Sequence, residues 1–342
     1  MADGYQSIAA GRRHRRRIRR IFLVFGVLLS FFFAGCCIGP YALAPERIFW
    51  TIFGQGTMRE NLVIFDFRLP RLCLAVLVGL GMGSSGVMMQ SLLRNDLASP
   101  GTLGVADGSS LFVTVYIALI AERLDQPILL PILAMVGGIA SAGVIYALST
   151  KKGKPISHIK LIMTGVAMGA CYSAIGMFMM YLLDETQVEF VQRWQSGELW
   201  GTEWRYISIL AGWLAVFGSL AMREAKTLNV IHLGYDVAAG LGVNLKAAFL
   251  RIGFLAVGIA SASVAFGGNF FFLGLIGPHI ARGLVGPDTR YLIPAAGAVS
   301  AALIVLSNIL VENVTAFINI PVGIFISILS VPYFLYLLVK AR

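Results

Sequence analysis

Polar and apolar positions alternate along this chain with a long period. Runs of about 17–25 mostly apolar residues, the length a bilayer demands of a helix, are separated by short polar or Gly/Pro-bearing breaks. Ten runs are predicted as transmembrane helices, near residues 20–40, 69–93, 101–120, 128–149, 158–183, 205–222, 248–268, 270–286, 291–311 and 320–339. The division between the seventh and eighth rests on Gly267-Gly268-Asn269 alone. Pro100-Gly101, Gly277-Pro278 and Pro332 predict kinked or interrupted spans. Residues 223–247 are too polar to span and too apolar for a plain loop. Their periodicity predicts two short amphipathic helices hinged near Gly234, which either a cytoplasmic partner grips or the membrane surface holds.

Composition makes the membrane assignment firm. Hydrophobic residues are 58% of the 342 and charged residues only 13%, with a mean hydropathy of +0.81. A soluble domain carries about 25% charged residues and has no interior able to hide so much apolar surface. Disorder is excluded by the same values, and a disulfide scaffold by a count of four cysteines. The 38 glycines, dense in Gly79-Leu80-Gly81-Met82-Gly83-Ser84-Ser85-Gly86, predict helices packed closely through small residues, as lipid supplies no hydrophobic drive between them.

The net charge of +10 suggests nucleic acid until its placement is read. Basic residues sit at the ends of the apolar runs, which is a topology signal. With a cytoplasmic N-terminus and ten spans, the inner segments hold 20 basic and six acidic residues and the outer segments seven and eleven, giving +14 inside and −4 outside. Lys and Arg are retained on the cytoplasmic side, so both termini are expected there. Residues 1–20 form a basic N-terminal segment expected to rest on anionic lipid, and 21–342 a single transmembrane domain. Phe33-Ala34-Gly35-Cys36 imitates a lipoprotein cleavage site, but Phe stands three before the cysteine and further spans follow, so the run is expected to stay as the first helix.

The chain lacks a GxxxxGK[ST] phosphate loop, HExxH, CxxC and clustered carboxylates, so neither nucleotide nor metal chemistry is expected of it. Cys36, Cys37, Cys73 and Cys171 lie in apolar spans as small packing residues. Ion coupling needs an ionisable group at mid-membrane. The nearest candidate, Asp107, is expected only a few residues into the third span, close to the inner surface, in a helix-start or packing role, and Glu312 is expected at an outer end. Energy for uphill transport would then come from a partner.

Several motifs occur in order: Arg68-Leu69-Pro70-Arg71; Ser85 to Gln90; Arg94-Asn95-Asp96-Leu97-Ala98-Ser99-Pro100-Gly101-Thr102-Leu103-Gly104-Val105; Leu233-Gly234-Tyr235 to Leu241-Gly242-Val243; Phe272 to Arg282, reading FLGLIGPHIAR; and Ile320-Pro321-Val322-Gly323-Ile324. From about residue 45 onward the set closely resembles the FecCD-type permeases of ABC importers for ferric siderophores, haem and cobalamin. The resemblance implies an all-α membrane protein of about ten helices with type II importer architecture, pairing with a second copy or a paralogue. It also implies two ABC ATPase subunits that use ATP and Mg, and an extracytoplasmic substrate-binding protein, in the cytoplasmic membrane of a prokaryote. Carried over residue by residue, it makes Arg68 and Arg71 docking residues for the binding protein. Leu233, Gly234, Leu241 and Gly242, in coupling helices at about 226–246, become the ATPase contact. Ser157, His158 and Ile159 match the cytoplasmic gate, where a relative has small hydroxyl residues. Glu312 stands where some relatives carry a basic docking residue, and is taken as a third docking residue. His279, near an inner helix end, is expected to bond backbone and bind no metal. No cofactor is expected on this chain.

The implied mechanism is alternating access driven by the ATPases, with a ferric siderophore as cargo and haem or cobalamin as the alternatives. Two rival classes make different demands. An ion-coupled secondary transporter would need Asp107, and a membrane sensor would grip a regulator through 223–247 and show no flux.

Overall fold

A computed structural model of the chain describes residues 2–41, 43–121, 127–150, 157–314 and 320–340. Among them no strand forms. Helix α1 (Ala2–Cys37) is followed by two short helices at one end of the molecule, α2 (Pro45–Ile52) and α3 (Met58–Asn61). A π-helical stretch over Leu62–Arg68 then leads without interruption into α4 (Leu69–Leu93). Pro70 explains the widened stretch, because it cannot donate to a carbonyl four residues back, and the Leu69 N–H bonds Ile64 instead. A single 3₁₀ turn, Pro100–Leu103, precedes α5 (Val105–Leu119). The remainder comprises α6 (Leu129–Ser149), α7 (His158–Met180), α8 (Glu185–Gln195), α9 (Trp204–His232), α10 (Tyr235–Gly240), α11 (Leu245–Gly267), α12 (Leu273–Val285), α13 (Thr289–Asn313) and α14 (Val322–Lys340).

Seven stretches are long and apolar enough to cross a bilayer, and three shorter apolar helices, α5, α12 and the 322–333 part of α14, fill the remaining predicted spans. The break at Gly267-Gly268-Asn269 is genuine, since Gly268 takes φ +76° and separates α11 from α12.

Helix α4 is the central post, packed between α13 on one side and α11 on the other, with α9 and α12 completing the ring. Small residues make this possible. A Cβ on Gly79 would lie 2.3 Å from the Ala301 Cα, one on Gly83 2.3 Å from the Ala296 carbonyl oxygen, and one on Gly86 2.2 Å from that of Gly274. These three glycines share one face of α4, so its backbone rests directly on α13 and α12. Ser85 caps the contact on the other side, its hydroxyl donating to the Ala256 carbonyl of α11 at 2.6 Å. By contrast α1, α7 and α9 are mostly exposed and lie at the periphery of the chain.

Residues 94–104 turn back into the bundle instead of running along its end. Arg94 takes the left-handed conformation (φ 47°) to end α4. Ser99 and Pro100 then pack on Gly274, the ring of Phe271 lies against Gly101, and the Thr102 carbonyl lies against Gly165 of α7. The start of α5 and the start of α12 therefore meet inside the bundle. Interrupted helices at this depth are tolerated because protein surrounds them.

Two sequence expectations change. Residues 223–232 are the last turns of α9, not a separate surface helix. Glu224 there takes a bidentate ion pair from Arg251 of α11 (2.6 and 2.9 Å), and Leu228 and Ile231 are buried, so neighbouring helices satisfy what the polarity suggested lipid would. Asp107 does not lie near the end of the bundle. Its carboxylate faces Gly169, twelfth of the 23 residues of α7, about 16 Å along that helix at roughly 1.5 Å per residue. The re-entrant 94–104 segment starts α5 at this depth.

Candidate functional site

The predicted residues fall at the two ends of the bundle. At the end holding α2, α3 and α8, both candidate docking arginines are already engaged. Arg68 is half-buried and donates to the carbonyls of Cys36 (2.7 Å) and Tyr41, tying the end of α1 to α4. Arg71 Nε lies 2.8 Å from Glu312 Oε1 and 2.8 Å from Asn308 Oδ1 on α13. Glu312, expected as a third docking residue, is thus the internal partner of Arg71. Arg71, Glu312, Arg193 and Glu198 all line one cavity of about 290 Å³, two charges of each sign. Arg193 is itself shared between Glu189 (3.1 Å) and Glu198 (3.4 Å). Outside the span region, Arg47 grips Glu60 in two bonds of 2.6 and 2.7 Å, and that carboxylate holds the guanidinium above its ordinary pKa.

Helix α8 was missed by the sequence reading, which left 184–204 as an outer connection. Its signal is local: Asp184-Glu185-Thr186-Gln187 is a capping box, the Asp184 carboxylate accepting from Gln187 N–H at 2.8 Å and from the Thr186 hydroxyl at 2.7 Å. Those bonds hold Asp184 below the usual carboxylate pKa. An eleven-residue helix is too short to register in a search for spans. Its end is fixed by Gly197 (φ +81°), whose carbonyl accepts from Gly323 N–H at 2.8 Å and so joins α8 to α14.

At the opposite end, α10 is a six-residue helix between Gly234 (φ +124°) and Gly242 (φ +87°), positions where only glycine enters without strain. Leu233, just before the Gly234 turn, and Val237 and Leu241, one turn apart at α10, are 64, 49 and 64% exposed. The other face is pinned. The Tyr235 hydroxyl donates to the Leu92 carbonyl at 2.9 Å, with the Arg94 guanidinium 5.4 Å over its ring, and burial pushes its pKa up to about 12. Next to it, His232 Nε2 shares a 3.0 Å hydrogen bond with Ser91 Oγ. Arg282 of α12 pairs with Asp96 and donates to Gln90 Oε1 at 3.0 Å. This cluster was not singled out from sequence as a unit, although Gln90 and Arg282 were visible as polar residues inside apolar runs.

Ser157 is the N-cap of α7, its hydroxyl accepting from Lys160 N–H at 3.4 Å, and Ile159 is 74% exposed. His158 begins the helix, while residues 151–156 lie outside the described residues. The end of the second predicted inner loop is thus an exposed helix start at Ile159. His279 sits in the middle of α12, its ring edge-on to Tyr333 at 5.9 Å, where a backbone bond was expected. Among the described residues no group of three His, Cys, Asp or Glu side chains is arranged to hold a metal ion, and all four cysteines are free.

The N-terminal helix is clamped at the α10 end. Arg17 pairs with Asp288 at 3.3 Å in the α12–α13 turn, and Asn229 of α9 bonds Asp288 (2.8 Å) and Thr289 (2.7 Å). Basic residues of α1 therefore share one end of the bundle with Arg94, Arg282 and α10.

The chain is 36% identical over 325 residues to the iron(3+)-hydroxamate import system permease protein FhuG of Bacillus subtilis, a match covering 94% of this chain and 96% of that protein. It is 33% identical over 338 residues to the hemin transport system permease protein HmuU of Yersinia pestis, covering 97% and 98%. Its fold matches a solved transporter assigned to the metal-chelate type of ABC transporter, in an inward-facing conformation, with a TM-score of 0.80, 25% identity and coverage of 95% and 99%. Residues 26–340 match the model of the FecCD transport family, and with relatives at this identity over nearly the whole length the chain belongs to that family.

Proposed function

We propose that this chain is the permease subunit of a binding-protein-dependent ABC importer that carries a ferric siderophore across the cytoplasmic membrane, by alternating access driven by two ATPase subunits. The observation that carries the reading is α10. Helix α10, framed by two positive-φ glycines and fixed on one side to the end of α4, exposes Val237 and Leu241, with Leu233 exposed just before it, and is a knob suited to a groove on a second protein. The absence of a phosphate loop from the sequence leaves ATP hydrolysis to that protein. The basic α10 end would face the cytoplasm, with both termini there, by the rule that Lys and Arg are retained inside.

At the other end the substrate-binding protein would dock over Arg68, Arg71 and Glu312. The start of α7 at Ser157, His158 and Ile159 would bound the inner gate of a pathway formed with a second copy or a paralogue. Ferric hydroxamate is the preferred cargo class because it is what the B. subtilis relative is named for, and haem is the alternative the Y. pestis relative supplies.

The test is gentle solubilisation of the tagged chain from its native host, with mass spectrometry of what co-purifies. A phosphate-loop ATPase is expected with the wild type. Leu233→Asp with Leu241→Asp should lose it while the permease keeps its thermal transition. A partnerless wild type that still moves substrate would sink the reading.

A further inference from the structure

One cavity is polar at a depth where the surrounding helices are otherwise apolar. It encloses about 300 Å³ between α5, α7, the end of α8 and the turn after α11, and is lined by Asp107, Ser110, Tyr172, Ser173, Gln195 and Asn269. Asp107 is the charged group, facing the midpoint of α7, and among the described residues it has no ion-pair partner. Asn269 Oδ1 is buried and has no hydrogen-bond partner. An unpaired carboxylate in a cavity inside a membrane bundle is costly, because neither lipid nor an apolar neighbour satisfies it. Met177 lines the same cavity and is 67% exposed, so the cavity opens onto the free face of α7.

The chemistry defines what fits. A carboxylate with three hydroxyls nearby calls for a cationic hydrogen-bond donor. The volume equals about ten waters at roughly 30 Å³ each, enough for an alkylammonium arm with some hydration and too little for a whole ferric chelate. We propose that this cavity is a transit subsite for a protonated primary amine carried by the metal-chelate cargo, an inference that rests on the importer reading above. As the chelate passes along α7, its ammonium donates to the Asp107 carboxylate and supplies the cation the site lacks. No covalent bond changes. An acylated arm, neutral and bulkier, gains nothing there.

The test uses cells carrying the complete importer and no other ferric-chelate route. Two radio-iron probes are compared, a linear ferric trihydroxamate with one free terminal amine and the same chelate N-acetylated, each normalised to its affinity for the binding protein. Asp107→Asn should lower uptake of the amine probe about tenfold, as expected for loss of one charged hydrogen bond, and leave the acetylated probe unchanged. Asp107→Glu should restore part of it. Ser173→Ala should lower the amine probe alone by several-fold, and decides the matter if the Asp107 variants fail to accumulate in the membrane. Equal effects on both probes, or no effect on the amine probe, while ATP-driven uptake persists, would overturn the subsite and leave the importer reading standing. Failure of the wild type to take up either probe would overturn both.

Discussion

Arg71 and Glu312 give the sharpest test of how the outer face works. The resemblance makes both docking residues, but the geometry pairs them with each other at 2.8 Å, each side chain about 30% exposed. If Arg71 is to meet an acidic residue on a binding protein, Glu312 competes for it. Bare Coulomb attraction at this distance is about 6 kcal/mol at an effective dielectric of 20, but solvent screening at such exposure leaves about 1 kcal/mol. Removing the competing charge should therefore strengthen docking by roughly fivefold, since 1.4 kcal/mol is tenfold. Glu312→Gln should tighten binding of the substrate-binding protein by that factor in a titration on nanodisc-embedded transporter at low salt, and the gain should vanish in high salt. Arg71→Ala should weaken docking, and in the Arg71→Ala background Glu312→Gln should do little. A Glu312→Gln variant that binds more weakly, or a gain that survives Arg71→Ala, would refute the competition and make Glu312 a direct contact.

Three further outcomes follow from named contacts. Gly83→Ala places a methyl 2.3 Å from a backbone oxygen that cannot step aside, so the thermal transition in detergent should fall, at a cost of about 1–3 kcal/mol. Gly143→Ala in α6, which meets no atom within 4 Å, should raise it through helix propensity alone. At α8, the folded-state pKa of Asp184 is depressed, so the cap's contribution is fully present above the ordinary carboxylate range and is lost as pH falls through the folded value. Hydrogen exchange over 184–195, corrected for intrinsic rates, should be flat from neutral to weakly acidic pH and rise below about pH 4; Asp184→Asn, which still caps, should remove that acid step.

The ten membrane segments were legible because burial in lipid writes itself as length and composition, and one of them, 69–93, has the bounds of α4, although the continuous helical span there runs back to Met58. What was hidden was depth. From the sequence, Asp107 follows a loop and so belongs near a surface; only the packing of Ser99 and Pro100 on Gly274 and of Thr102 on Gly165 reveals that the loop climbs to the middle. The signal was present in Pro100-Gly101 and Gly104, yet a helix breaker marks an interruption without saying which way the chain turns. Polarity misled at 223–232 for a related reason. Glu224 and Asn229 are as hydrophilic bonded to Arg251 and Thr289 as they would be in water, and sequence does not name the partner. Pairings such as Arg71 with Glu312, 241 residues apart, are invisible to any local pattern.

Under the importer reading, the positions of α10 and the re-entrant segment determine where an ATPase push goes. The bonds of α10 run to α4, and the exposed face of α7 would bound the pathway. Its Tyr235 hydroxyl and the preceding His232 hold Leu92 and Ser91, the last turn of α4. From there Gln90 reaches Arg282, which also holds Asp96 at the foot of the re-entrant segment. That segment ends at Thr102 and Asp107, against Gly165 and Gly169 of α7. Displacing α10 therefore acts on α7 through residues 94–107, because α4 itself is locked by its glycine face onto α13 and is the part least able to move. The two interrupted starts meeting at Gly101 and Phe271 are the compliant point of this chain of contacts, where no continuous helical hydrogen bonding resists a tilt. Bulk at Gly101, whose Cβ would lie 2.5 Å from the Phe271 ring, should then uncouple ATP hydrolysis from uptake: hydrolysis by the assembled complex persists while flux falls. Loss of both in parallel would place the compliance elsewhere.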